Sequence, residues 1–352
     1  MSQPPNSFRL AGGGRGYRWE DPVTHEITDV LSVTTIRTLC GMPPNLVTWK
    51  VSNVVNLATG MRKVDYLGPR GGKKSRYIND GPFPGQFVEK MLATEGDEET
   101  LARVRKWLTD TADEPRDIAA ARGTTVHEAI ERGMTPTQVD EAYVRDAFAR
   151  NMTAGEVTAD DIAFVRDCIV QHADLRATVP YVILGKELQV FELTAGYAGS
   201  FDCLLWILPK GTSASVVKTW QKHADEGRTT LDKIKAIGGE VVLGDYKTSS
   251  GLYTDAVCQI TAYLSADFVV VDGVRDDRLT EILRSSMKGA LLHIRPGEWQ
   301  VAFFDFRPDV LRAFLGSCAF ARFLALHEFP SALFTSTIKG KVEIARKEKA
   351  RT

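Results

Sequence analysis

The apolar run Val241-Val242-Leu243 ends in Gly244-Asp245-Tyr246-Lys247. Side chains on an extended strand alternate faces, so Asp245 and Lys247 share one side and Tyr246 takes the other. Alone, such a pair reads as a surface ion pair that contributes little. A second carboxylate changes that reading. Gly199-Ser200-Phe201-Asp202 introduces another apolar strand, Cys203-Leu204-Leu205-Trp206-Ile207. Two carboxylates at the ends of neighbouring strands make a hard-oxygen site for Mg²⁺, with Mn²⁺ as a substitute. A metal there would polarise a phosphodiester, and Lys247 would place the attacking water or offset developing charge.

His127 lies in the segment Arg122-Gly123-Thr124-Thr125-Val126-His127-Glu128-Ala129-Ile130-Glu131. A lone helical histidine is either a packed core residue or a ligand. The zincin pattern is absent, because Glu131 stands where its second histidine belongs. Gln259 and Tyr263, spaced i and i+4, share one helical face and follow the strand that carries Asp245.

These residues must be carried by elements of two kinds. Tyr17 to Thr35 reads as a hairpin turning at Asp21-Pro22 and leading into a helix near Ile36, and Leu46 to Leu57 has helical spacing. Arg62 to Arg76 is a glycine-rich basic loop, and the charged segment from Glu89 to Asp117 is helical with breaks at Gly96 and Pro115. Helices are expected over 118–133, 139–150 and 159–175. After Pro180 the period changes to three strands, broken between the second and third by a polar, partly helical insertion from Pro209 to Gly239 at the sheet edge. A helix from Thr254 to Phe268, a hairpin turning at Pro296-Gly297 and a helix from Pro308 to Glu328 complete the core, and a basic tail follows. The order predicts an α/β fold with helices flanking a central mixed sheet.

Composition sets outer limits. The chain has 352 residues, 43% hydrophobic and 25% charged, and a net charge of −1. That excludes binding to a polyanion by bulk charge and leaves room for a local basic groove. No signal peptide or long apolar run is present, and the five cysteines are scattered, so a cytoplasmic protein with reduced thiols is expected. Gly68 to Ser75 (GPRGGKKS) imitates a nucleotide-binding loop, but Lys73 occupies the place of its second glycine, so no ATP is expected. The stretch is either a solvated loop or a DNA-backbone contact made through Lys73 and Lys74. Gly12 to Gly16 is no dinucleotide fingerprint, and no G-x-S-x-G elbow is present.

The succession RGTTVHEAIE, GSFD, GDYKTS and Q-I-T-A-Y resembles the RecB-like branch of the PD-(D/E)xK nucleases, over roughly Ile118 to Phe268. The text SVTTI followed by Trp49 looks like the opening of phage-encoded members. The resemblance implies a restriction-endonuclease-like core over 116–335, after a mostly helical region over 1–115 and before the tail at 336–352. It implies that His127, Asp202 and Asp245 bind catalytic metal with the backbone carbonyl of Tyr246, and that Lys247 is the catalytic lysine. Gln259 and Tyr263, with Arg122, are expected at the DNA; Glu187 and Glu131 are further site candidates, and for Glu187 a plain strand-edge carboxylate is the equal alternative. The cysteine cluster of some relatives is missing, so no iron–sulfur centre is expected. The implied activity is a Mg²⁺-dependent DNA exonuclease that leaves 5′-phosphates, acting in phage recombination, repair or replication inside the bacterial host. A single-strand annealing or recombination protein is the implied partner, and no membrane is involved. Two alternatives stand beside it: a structure-specific endonuclease on the same core, and a catalytically silent DNA-binding accessory protein.

Overall fold

A computed structural model describes residues 6–10, 14–39, 61–67, 73–79, 116–151, 157–252 and 254–326. The helical spacing at 46–57 with Trp49, the charged segment up to residue 115, and the tail lie outside these residues.

The strand patterns after Pro180 become β6 (Tyr181–Glu192), β7 (Tyr197–Ile207) and β8 (Glu240–Lys247). They form an antiparallel meander, with Leu188 opposite Phe201 and Leu205 opposite Val242. The helix α7 (Thr254–Leu264) then carries the chain over one face, so that β11 (Lys288–Arg295) returns parallel to β8. The edge strand β12 (Glu298–Asp305) pairs with β11. At the N-terminus, β1 (Ser7–Arg9), β2 (Arg15–Glu20) and β3 (Ile27–Ser32) form an antiparallel run. Here β3 joins β7 in parallel at Tyr197 and Ala198, so the N-terminal hairpin belongs to the central sheet. Its turn is held by the Asp21 carboxylate, which accepts the N–H groups of Val23 and Thr24. The short helix α1 (Val33–Leu39) follows directly.

The fold is α/β, with a large mixed sheet flanked by helices. One apolar layer lies under α2 (116–131), α3 (Glu141–Asn151) and α4 (Ala159–Thr178), and includes Val126, Phe148, Val165 and Leu175. A capping box between Thr158 and Asp161 starts α4, and its buried residues recur at helical spacing. The opposite layer lies under α1, α7 and α9 (Pro308–Leu326), and includes Ile36, Ile260 and Phe314. Because both faces are covered, β8 is buried almost throughout, as its continuous apolar run requires.

The insertion between β7 and β8 forms α5 (Ala214–Asp225) and α6 (Leu231–Ile237). It closes the open edge of β6: the Gln221 amide accepts from Ile183 N at 2.9 Å and donates to Ile183 O at 3.0 Å. One side chain thus stands in for a neighbouring strand and protects that edge. Trp220 packs edge-on against the fully buried Trp206, whose indole N–H donates to Gly238 O at 2.9 Å.

Two sequence expectations change. The basic stretch expected as a loop from Arg62 to Arg76 is extended wherever it is described: β4 (Met61–Leu67) and β5 (Lys73–Asn79) pair antiparallel, with Leu67 opposite Lys73. Among the described residues, β4 is followed by a second strand and not by a helix. The helix expected to reach Phe268 ends at Leu264, and the chain continues as β9 (Phe268–Val271), β10 (Val274–Asp276) and α8 (Asp277–Ser285). The β-branched run Val269-Val270-Val271 favours a strand, and Asp276 caps α8 by accepting from Leu279 N. Among the described residues, no helix is long and apolar enough to cross a membrane.

Candidate active site

The ladder between β7 and β8 ends at the pair Cys203 and Gly244, while the start of β7 turns to pair with β3. Asp202 and Asp245 are the next residues along, at the mouth of the resulting fork. Here Asp202 Oδ2 accepts the N–H of Tyr246 at 2.6 Å. A carboxylate thus takes over from a ladder carbonyl, and its charge strengthens the bond.

Alternation along β8 sends Val242 and Tyr246 toward α2 and α4, and Leu243 toward α7. Asp245 and Lys247 therefore share the α7 side, where Lys247 Nζ is ion-paired with Asp245 Oδ2. From the other side α2 brings His127, whose Nδ1 lies 3.5 Å from Asp202 Oδ2. Gly123 lets α2 come close, since a Cβ there would lie 3.1 Å from Thr248 Oγ1, next to Lys247. His127, Glu131, Glu187, Asp202, Cys203 and Tyr246 line a narrow cleft on this side.

The charges act on one another. Burial opposes the charged form of His127, but the Asp202 carboxylate outweighs it and holds the imidazole pKa above its ordinary value. Burial likewise opposes ionisation of Asp202, yet His127, Lys247 and the Tyr246 N–H together keep its pKa low. Asp245 is pushed up to about 6, first by burial and then by Asp202, against the pull of Lys247. Glu187 is pushed up to about 7 by burial, then by Asp202 and Glu131. Its backbone has φ 47°, a left-handed conformation that a glutamate within a strand holds only where its surroundings enforce it. Glu131 lies at the rim, where its backbone carbonyl accepts from Lys186 Nζ at 2.9 Å.

Among the described residues, no three His, Cys, Asp or Glu side chains are gathered closely enough to grip an ion as they stand. The donor chemistry nevertheless fits a divalent cation. It comprises an imidazole and two carboxylates that repel each other, Asp245 buried and Asp202 partly exposed, and Asp245 Oδ2 makes no hydrogen bond although Lys247 lies against it.

The residues expected at DNA divide into groups. Tyr263 is 2% exposed and fills the space left by Gly199, where a Cβ would lie 2.4 Å from the tyrosine Cε1. Its hydroxyl accepts from Gln259 Nε2 at 3.0 Å, so Tyr263 supports Gln259 from the core instead of meeting solvent. Arg122 is bound to the buried Asp161 at 2.7 Å and lies over the Phe164 ring, which ties α2 to α4. Lys73 and Lys74 lie on β5, opposite Leu67 and Tyr66.

Two residues enter that motif reading passed over. Arg37 on α1 is ion-paired with Asp255 and donates to Gln259 Oε1 at 3.2 Å. His293 on β11 is the register partner of Lys247, and its Nε2–H donates to Ser249 O at 2.7 Å, which fixes the segment after Lys247. Its Nδ1 lies 3.1 Å from Gln300 Nε2. Strand alternation in G-A-L-L-H-I-R carries a signal for His293; nothing near Arg37 in the sequence points to Gln259. In comparisons with known proteins, no family model matches the chain and no curated protein matches it significantly.

Proposed function

We propose that this chain is a metal-dependent DNA exonuclease with a PD-(D/E)xK core of the RecB-like kind. The observation that carries the reading is the fork between β7 and β8, where the His127–Asp202 pair and the Asp245–Lys247 pair meet from opposite faces of the sheet. The scaffold supports it: a helix, an antiparallel three-strand meander, a crossover helix and a parallel strand follow in that order.

His127, Asp202 and Asp245, with the Tyr246 carbonyl, are the residues that would hold a divalent cation such as Mg²⁺. When bound, that ion supplies positive charge to stabilise the pentavalent phosphorus of the transition state. The protein's own groups do the rest. Asp202 is fixed by the Tyr246 N–H, so its second oxygen is presented without reorganisation. Lys247 is aimed by Asp245 and orients the attacking water while it offsets charge on the non-bridging phosphate oxygens. His293 holds the segment behind it. Water adds to phosphorus in line, the bond from phosphorus to the 3′ oxygen breaks, and the products are a 5′-phosphate and a 3′-hydroxyl.

The test is nucleotide release from end-labelled linear duplex, single strand and covalently closed circle, with Mg²⁺ and with chelator. Release from the linear forms alone, and only with Mg²⁺, supports the exonuclease. Nicking of the circle moves the assignment to an endonuclease, and no release in any arm removes the catalytic reading.

A further inference from the structure

We infer that Arg37 is a substrate-binding residue of this site, gripping a DNA phosphate in exchange for Asp255; the inference rests on the nuclease reading above. The helix that carries it is firmly seated. Val33 and Ile36 are fully buried in the same core as Ile260 and Tyr263. Thr35 accepts from Arg15 N at 2.7 Å and donates to Arg15 O at 2.9 Å, so the start of α1 is tied to β2 as well. Arg37 is therefore presented from a fixed base.

Among the described residues, its partners are Asp255 and Gln259, both on α7. The side chains of Arg37 and Asp255 are 30% and 43% exposed, so the pair is within reach of solvent. An exposed ion pair of this kind adds little to stability, so a clamp between helices does not account for it well. A guanidinium matches phosphate and carboxylate with the same forked donor geometry, and Asp255 thus occupies the place a phosphate would take.

The neighbours connect that place to the acidic centre. Gln259 accepts from Arg37 and turns its amide nitrogen to the Tyr263 hydroxyl, and the Tyr263 ring packs over Gly199, just before Asp202. Arg37 thus lies on the α7 side, the side that Asp245 and Lys247 face. A cation there counters the carboxylates that would otherwise repel an incoming polyanion.

The experiment measures binding of the full chain to an end-labelled duplex, with Ca²⁺ replacing Mg²⁺, over about 50 to 200 mM salt. It compares the parent with Arg37→Ala, Arg37→Lys and Asp255→Asn, each checked by thermal melting. Arg37→Ala is expected to weaken binding about tenfold and to make the salt dependence shallower by about one. Arg37→Lys keeps the slope and recovers part of the affinity. Asp255→Asn is expected to tighten binding, because it removes the competitor. A salt slope unchanged in Arg37→Ala, or weaker binding in Asp255→Asn, makes the pair a structural clamp and overturns the inference while leaving the nuclease reading in place. A parent chain that binds no DNA overturns both. Should Arg37→Ala fail to fold, Arg37→Lys and Asp255→Asn decide by the same signs.

Discussion

Asp202 and Tyr246 are joined across the point where two strands part, carboxylate oxygen to backbone N–H at 2.6 Å. The contact has a structural and a chemical side, and substitutions separate them. Asp202→Asn keeps an oxygen to accept that N–H and removes the repulsion on Asp245. It also removes the charge that His127 and Lys247 favour, so it is expected to melt below the parent but above Asp202→Ala, and to release no nucleotide. Asp202→Ala strands a buried donor and is expected to lose about 1–3 kcal/mol in denaturant unfolding. An asparagine variant no more stable than the alanine variant would refute this account of the contact.

Lys247 balances a buried carboxylate that Asp202 already disfavours. Lys247→Ala is expected to destabilise the fold more than Asp245→Asn, because it leaves a charge buried without a partner. Urea midpoints of the two variants at neutral pH provide the check, and equal midpoints would count against the ion pair.

Burial, then the charges of Arg176 and Lys186, lower His172 from an ordinary 6.5 to about 4. The folded protein keeps this ring neutral, so its contribution is complete above the unfolded value. It is lost as pH falls from about 6.5 toward about 4. Between about pH 7.5 and about pH 5 the parent is expected to lose roughly 2 kcal/mol more than His172→Gln. Unfolding curves at both pH values decide it, and parallel losses would place the ring elsewhere.

The hairpin of β4 and β5 carries Lys73 and Lys74. If it meets DNA, neutralising both is expected to weaken binding with little regard to sequence and to flatten the salt dependence by about two. An unchanged slope would remove the hairpin from the interface.

How much of this was legible in the sequence varies with the range of the signal. The strands around Asp202 and Asp245 were readable because alternation is local, and so was the facing of Asp245 with Lys247. The hairpin at Arg62 to Arg76 was hidden because glycines and charges mask its short strands. Tyr263 was legible as part of a motif but not as a buried residue, since its burial depends on the missing side chain of Gly199. Arg37 was illegible for a deeper reason: its partners lie 222 and 218 residues away, brought near by the joining of β3 to β7 and by the packing of α1 in the same core as α7.

If the fork is a cation-dependent hydrolytic centre, 5′-mononucleotide release from linear duplex by the parent and by Asp245→Asn reads it out. Release is expected from the parent with Mg²⁺, none with chelator, and none from Asp245→Asn while that variant is still folded and still binds DNA. Release by Asp245→Asn at the parental rate would contradict it.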